Sequence, residues 1–230
     1  ERSRGLGDVY KRQIFISCEE EENSPFYVAK NGVTIKARDW VTVGTTAELN
    51  GVTYTAVDLA SLKEWIEDDK DPSKVVTTKV ETSSSVSAVA GLFLTTGKEI
   101  KGIEGWDVSN WTSMQGIFYS AEPVNADLSG WDVSQVTDMQ LFMRLGDVNI
   151  NINNWDVSNA TDMSKMFMWY SNIENNVYIE KMDLSGWDVS KVTKCTDLKT
   201  FFDNANWPES KRPNFLVCLL YTSDAADEGL

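Results

Sequence analysis

Gly130-Trp131-Asp132-Val133-Ser134-Gln135-Val136-Thr137-Asp138-Met139 and Asn154-Trp155-Asp156-Val157-Ser158-Asn159-Ala160-Thr161-Asp162-Met163 are two copies of one unit. The tetrapeptide Trp-Asp-Val-Ser recurs at Trp106, Trp131, Trp155 and Trp187, and each copy is followed by a Thr and then a Met or Cys at matching offsets. Successive tryptophans lie 25, 24 and 32 residues apart, so the third interval holds an insertion, placed within Ser171 to Lys181. Self-similarity at such a period marks an array of stacked units, not a globular enzyme domain.

The apolar positions of one unit are Leu128, Trp131, Val133, Val136, Met139, Phe142 and Met143, and the next unit repeats them as Ile152, Trp155, Val157, Ala160, Met163, Met166 and Phe167. Alternation at Trp131 and Val133 predicts a short strand, and the spacing of three that follows predicts a tight helical turn. One strand and one helical turn per unit predict an α+β solenoid. Thr112 with Gln115 and Thr137 with Gln140 fit the capping-box pattern at the change of period. Upstream, Val86, Ser87, Val89, Leu92 and Phe93 fit a fifth copy with Glu81 in the tryptophan position, a polar leading unit that reads as a cap.

Burying one Trp removes about 150–250 Å² from water, worth several kcal/mol at about 25 cal/mol per Å². The four tryptophans are therefore read as core and not as an exposed ladder for sugar rings. Asp107, Asp132, Asp156 and Asp188 are expected in a row on the opposite face. Calcium needs about six to eight oxygens from a shaped loop, so the row reads as a solvated face with local backbone bonds, not as a metal site.

These units resemble the W-D-V-S-N-V-T-D-M-S-x-M-F repeat of the BspA-like leucine-rich-repeat surface proteins, a repeat also abundant in mycoplasma lipoproteins. The resemblance spans about residues 75 to 207, and in its last unit Cys195 replaces Met and Lys199 stands at the aromatic position. It implies a leucine-rich-repeat-like solenoid displayed on a bacterial cell surface, binding or adhering to extracellular protein or glycan partners.

The chain ends read differently. Asp8-Val9-Tyr10-Lys11-Arg12-Gln13 can be encoded by GATGTGTATAAGAGACAG, whose reverse complement encodes Cys-Leu-Leu-Tyr-Thr-Ser in its second frame, the residues Cys218 to Ser223. Both ends resemble translated sequencing adapters, so residues 1–13 and 218–230 are expected to lie outside the fold, and the chain is expected to be a metagenomic fragment. An array cut without a cap would leave Phe201, Phe202 and Trp207 at an open end and predicts self-association.

The chain has 21 basic and 35 acidic residues, net −14, and no His. The two adapter-like ends carry +2 and −3, leaving −13 on the intervening 204 residues. A chain this acidic repels phosphate backbones, which argues against nucleic-acid partners. Without His, His-based triads and His general bases are excluded. Neither a cofactor nor a small-molecule substrate is expected.

Cys18 follows Ile14-Phe15-Ile16-Ser17 and precedes Glu19-Glu20-Glu21-Glu22. That looks like the end of a lipoprotein signal peptide, with Cys18 as the lipid attachment site and residues 14–25 as signal remnant and acidic tether. The acidic run resembles the export signal of surface-exposed lipoproteins in the Bacteroidota and implies lipid anchoring to the outer membrane.

Residues 26–74 read as a small β-meander with one helix. Asn31-Gly32 and Asn50-Gly51 predict hairpins between Phe26 to Ala29 and Val33 to Ala37, and between Ala47 to Leu49 and Val52 to Val57. Leu59, Leu62, Trp65 and Ile66 predict a helix capped by Asp58, docked with its module on the first coil. Residues 75–217 then hold about five repeats. Two other functions remain open: a stalk presenting a further C-terminal domain, and a carboxylate glycosidase using Glu64, Glu67 and Asp68. The second is disfavoured because paired catalytic carboxylates need a cleft.

Overall fold

Each apolar spacing of three in the repeat is one backbone turn. The computed structural model describes residues 23–82, 89–93, 99–119, 124–145, 148–169, 182–204 and 207–214. In the second coil the N–H of Trp131 donates to Leu128 O, that of Val136 to Val133 O, and that of Phe142 to Met139 O. The third coil repeats this with Trp155 to Ile152, Ala160 to Val157 and Met166 to Met163, and the fourth with Trp187 to Leu184, Val192 to Val189 and Leu198 to Cys195.

An Asp, Asn or Ser precedes nearly every one of these turns, and its side-chain oxygen accepts the N–H two residues on. Asp127 holds Ser129, Asp132 holds Ser134 and Asp138 holds Gln140, at 3.0–3.1 Å. Short polar side chains do this because they can reach their own backbone, which also disfavours helix. Trp-Asp-Val-Ser is accordingly a turn and not the strand that its alternation predicts. Between residues 99 and 169 the described coils contain no helix.

Coil stacks on coil through parallel pairing at equivalent positions. Strand β6 (Val124–Ala126) pairs with β8 (Val148–Ile150), and β7 (Met143–Leu145) with β9 (Phe167–Trp169), both parallel. Single parallel bridges extend these rows from Ile100 to Val124 and from Phe118 to Met143. A further row runs through Ser113, Asp138, Asp162 and Lys194. The predicted threonine caps do not form, because the hydroxyls face the neighbouring coil. Thr112, Thr137, Thr161 and Thr193 donate to the carbonyls of Thr82, Thr112, Thr137 and Thr161 respectively.

Inside the stack lie the four repeat tryptophans, Trp106, Trp131, Trp155 and Trp187, all buried. Trp106, Trp131 and Trp155 stack with ring centroids 6.3 Å apart and planes within 7° of parallel. Each indole N–H reaches back one coil: Trp131 donates to Ile103 O, Trp155 to Leu128 O and Trp187 to Ile152 O, at 2.8–3.2 Å. Those same carbonyls already accept the backbone N–H of Trp106, Trp131 and Trp155. One oxygen thus closes a turn and holds the next coil, using both lone pairs.

The leading coil departs from the sequence reading. Trp106 Nε1 donates to Pro72 O, so Pro72 stands where Ile103 stands one coil on. Val75, not Glu81, occupies the tryptophan position, and Val80 N–H closes on Thr77 O as Trp111 does on Val108. Val75, Thr77 and Val80 are buried, whereas Glu81 is exposed. Val75 is 31 residues before Trp106, while Val89 and Phe93 keep the spacing of 25 to Met114 and Phe118. The change of phase falls between Thr82 and Val89, and the predicted matches Val86 and Ser87 lie outside the described residues.

The amino-terminal module is close to expectation. Strand β1 (Phe26–Val28) pairs antiparallel with β2 (Ile35–Ala37), and β3 (Thr46–Leu49) with β4 (Val52–Ala56) across Asn50-Gly51, both at positive φ. Helix α1 (Leu59–Glu67) starts in a reciprocal capping box between Asp58 and Ser61. Leu62 and Ile66 of α1 join the same continuous core as the coils. β4 pairs in parallel with β5 (Val75–Val76), which ties the module to the leading coil.

At the other end Phe201, Phe202 and Trp207 are buried against Phe167, contrary to the expected open end. Helix α2 (Leu198–Asn204) folds back, Leu184 N–H donates to Lys211 O, and Arg212 binds Phe202 O, Trp207 O and Asp203. With these rings covered, the ground for self-association falls away.

One equivalent backbone position is left-handed in every coil: Gly91, Gly116, Leu141, Lys165 and Asp197 have φ of 68°, 65°, 53°, 54° and 66°. Glycine is suited there and L side chains are strained by about 1 kcal/mol. Lys165 is exposed and its contact with Asp197 is a weak 3.8 Å pair, so Lys165→Gly is expected to raise stability by about 1 kcal/mol in urea unfolding. Trp131→Phe, which keeps a ring and loses the bond to Ile103 O, is expected to cost about 1–2 kcal/mol, and Trp131→Ala about 3–5 kcal/mol, in the same measurement.

Candidate functional site

Two polar rows run along the stack, and the amino-terminal hairpin covers the start of one of them. In the row that follows the tryptophans, Asp107, Asp132, Asp156 and Asp188 each accept the N–H of the serine two residues on, at 3.0–3.3 Å. Hydrogen bonds from Ser158 and Ser190 hold the Asp156 and Asp188 carboxyls below the ordinary value. Asp132, Asp156 and Asp188 are exposed, as expected of a solvated face. Asp107 departs from this, with its side chain 2% exposed.

The hairpin buries Asp107. Lys36 Nζ lies 3.2 Å from Asp107 Oδ1 and donates to Ser109 Oγ at 3.1 Å. Asp107 N–H donates to Thr77 Oγ1, while Oδ2 is buried without a hydrogen-bond partner. Around this ion pair β2 runs across the coils. Ala37 N–H donates to Thr78 Oγ1 of the leading coil, and Ile35 N–H to Gly105 O of the first. Asn31 Nδ2 and Thr34 Oγ1 donate to Gly130 O of the second. The module therefore reaches the second coil, one further than predicted. The hairpin lies in van der Waals contact with both coils: a Cβ on Gly105 would stand 3.4 Å from Val33 O and one on Gly130 3.7 Å from Asn31 Nδ2.

In the second row, Ser113, Asp138, Asp162 and Lys194 stack in register. Burial raises the Asp138 carboxyl above the ordinary value, opposed by the Gln140 N–H, and the neighbouring Asp162 adds to the rise. Lys194 lies 3.4 Å from Asp162 Oδ2 and Ser113 Oγ donates to Asp138 Oδ2. Among the described residues no group of three Asp, Glu or Cys is placed to hold a metal ion.

The glycosidase candidates are not brought into a cleft. Glu64, Glu67 and Asp68 are exposed on and just after α1, and Asp68 pairs with Lys70 at 2.7 Å. A cavity of about 280 Å³ does lie between the end of α1 and the leading coil, bounded by Ile66, Asp69, Pro72, Phe93, Ile100 and Lys101. None of the three candidates lines it. Cys18 lies outside the described residues. Among the described residues no helix is long and apolar enough to cross a membrane.

Residues 87–212, which take in the stacked coils from the later part of the leading one onward, match the family described as "Mycoplasma protein of unknown function, DUF285". The chain belongs to the DUF285 family. No curated protein and no solved structure matches it. The match begins beyond the amino-terminal module.

Sequence reasoning found the aspartate row but missed Lys36 and Asn31, which connect the module to it. Asn31 was legible only as a turn residue. Lys36 stands between Ile35 and Ala37 on its strand, and nothing local singles out its distant partner.

Lys36→Met is expected to leave the Asp107 carboxylate buried and unpaired, costing about 3 kcal/mol and exposing the hairpin to limited proteolysis. Asp138→Asn tests the second row. A raised folded-state value means Asp138 destabilises once ionised, so the variant is expected to melt higher than the parent at about pH 7. That gap should close as pH falls through the raised value, where both side chains are neutral, in calorimetric scans across pH.

Proposed function

We propose that this DUF285 chain is the binding part of a BspA-like surface lipoprotein. In this reading the coils form a leucine-rich-repeat-like solenoid, lipid-anchored through Cys18 at the bacterial surface, that offers an extended face to an extracellular protein or glycan. The observation that carries it is the uncovered aspartate row of the third and fourth coils, where Asp156 and Asp188 are exposed, each accepts the N–H of the serine two residues on, and Asp188 lies near enough to act on Asp156. A repeated polar face suits extended recognition, since each coil adds the same contact one step further along. The carboxylates Glu64, Glu67 and Asp68 stand apart from the one sizeable cavity described, which supports a non-enzymatic role. No nucleic acid, small-molecule substrate or cofactor has a place in this reading, whose membrane contact is the lipid anchor alone.

The test uses the intact gene expressed in bacterial cells with an epitope tag after the coils. Surface labelling and detergent-phase partitioning are expected for the parent, and loss of both for Cys18→Ser. Equal anchoring and exposure of the variant would overturn the lipoprotein reading. If purified coils capture no surface protein or glycan while a further carboxy-terminal domain does, the stack is a stalk.

A further inference from the structure

The hairpin that covers the first two coils shows how a strand binds this repeat. Strand β2 and the turn before it run along the stack, with Ala37 on the leading coil, Ile35 and Lys36 on the first, and the turn residues Asn31 and Thr34 on the second. Coil spacing of about 4.8 Å and extended chain of about 3.3 Å per residue make this crossing possible without a bend. Three of its contacts fall on repeated positions: a backbone N–H on the carbonyl before Trp106, a side-chain amide on the carbonyl before Trp131, and a lysine on the aspartate after Trp106.

The third and fourth coils carry the same elements in the same frame. Asn154-Trp155-Asp156 and Gly186-Trp187-Asp188 repeat Gly105-Trp106-Asp107, and Trp187 bonds back to Ile152 as Trp131 does to Ile103. Asn154, Asp156, Gly186 and Asp188 are all exposed, and nothing lies within 4 Å of a Cβ built on Gly186. At the hairpin tip, Val33 is 45% exposed beside Gly130, giving the uncovered row an apolar edge where the hairpin stops.

We propose that the row formed by Asn154, Asp156, Gly186 and Asp188 binds an extended, lysine-bearing strand of a partner protein, laid end to end with β2. The partner's lysine seats on Asp156 or Asp188, and its backbone N–H groups donate to the carbonyls of Asn154 and Gly186. Charge complementarity favours a basic strand: Asp156 and Asp188 are exposed carboxylates, and Lys191, which is bonded to Asn159 and acts on both, weighs less on Asp156 than the repulsion from Asp188 does. The proposal deepens the surface-binding reading and rests on it for the partner's location.

The probe is a backbone-cyclised peptide with the sequence of residues 24–38, fluorescently labelled and titrated into the full chain at low and high salt. Saturable binding of one peptide per chain, weakened by salt, is expected. Asp156→Asn with Asp188→Asn keeps both serine-binding oxygens and removes both charges, so it is expected to leave the thermal midpoint within a degree or so and to weaken binding at least tenfold. Replacing the peptide's lysine equivalent to Lys36 with Ala should do the same. Undiminished binding to the double variant would mean exchange with the resident hairpin and overturn the proposal, as would absence of binding up to millimolar peptide. Retention of neutral oligosaccharides with the peptide silent would overturn it while sparing the surface-binding reading. Loss of Cys18-dependent display would do the reverse.

Discussion

A single carbonyl oxygen in each coil takes two hydrogen bonds, one from the tryptophan backbone that closes its own turn and one from the indole of the next coil. Ile103, Leu128 and Ile152 provide these oxygens. An indole buried in a core must find an acceptor or lose the value of a hydrogen bond, and here the acceptor sits at the base of the preceding ring. The tryptophan is therefore not interchangeable with another large apolar residue. Phenylalanine would fill the space, but only indole can hold two coils at the distance where their planes stack. The leading coil shows the complementary case, since Pro72 supplies the oxygen to Trp106 and Val75, with no donor of its own to offer backward, ends the series.

The rest of the coil follows from the need to turn three times in about 24 residues with almost no regular structure to satisfy the backbone. Asp, Asn and Ser before each turn satisfy one N–H, the turn satisfies another, and the threonine hydroxyls supplement the pairing between coils. An aspartate in this repeat is consequently a piece of backbone scaffolding. Depressed values at Asp127, Asp156, Asp183 and Asp188 come first from their serine partners. Those bonds contribute above the ordinary carboxylate value and weaken as pH falls through the lower folded ones, while Asp138 acts in the opposite sense.

Burial of the repeat's apolar frame was legible in the sequence, because tryptophan and its spaced partners have nowhere else to go. The two hairpins and the Asp58 cap were legible too, each set by three or four adjacent residues. The path of the chain through Trp-Asp-Val-Ser was not. Spacing of three is common to a helical turn and to a chain of separate β-turns, and only the Asp or Asn before each apolar residue tells them apart. Glu81 was misplaced for another reason: matching by constant offset assumes no insertion within the leading unit, and Thr82 with Val89 disproves it. On the candidate surface, the exposed aspartates were legible as a row, whereas burial of Asp107 by Lys36 depends on a contact between residues 71 positions apart, beyond any local pattern.

The docked hairpin reads only the leading, first and second coils, and the folded-back segment at Arg212 reaches the last two, through Lys211 on Leu184 and Trp207 on Phe167. Where the second coil meets the third, repeat packs on repeat. A gene could therefore gain or lose whole units in that interval by unequal recombination, and neither end of the protein would register the change. Length is a quantity that this architecture leaves free to drift, while the two termini of the stack stay under constant selection for fit.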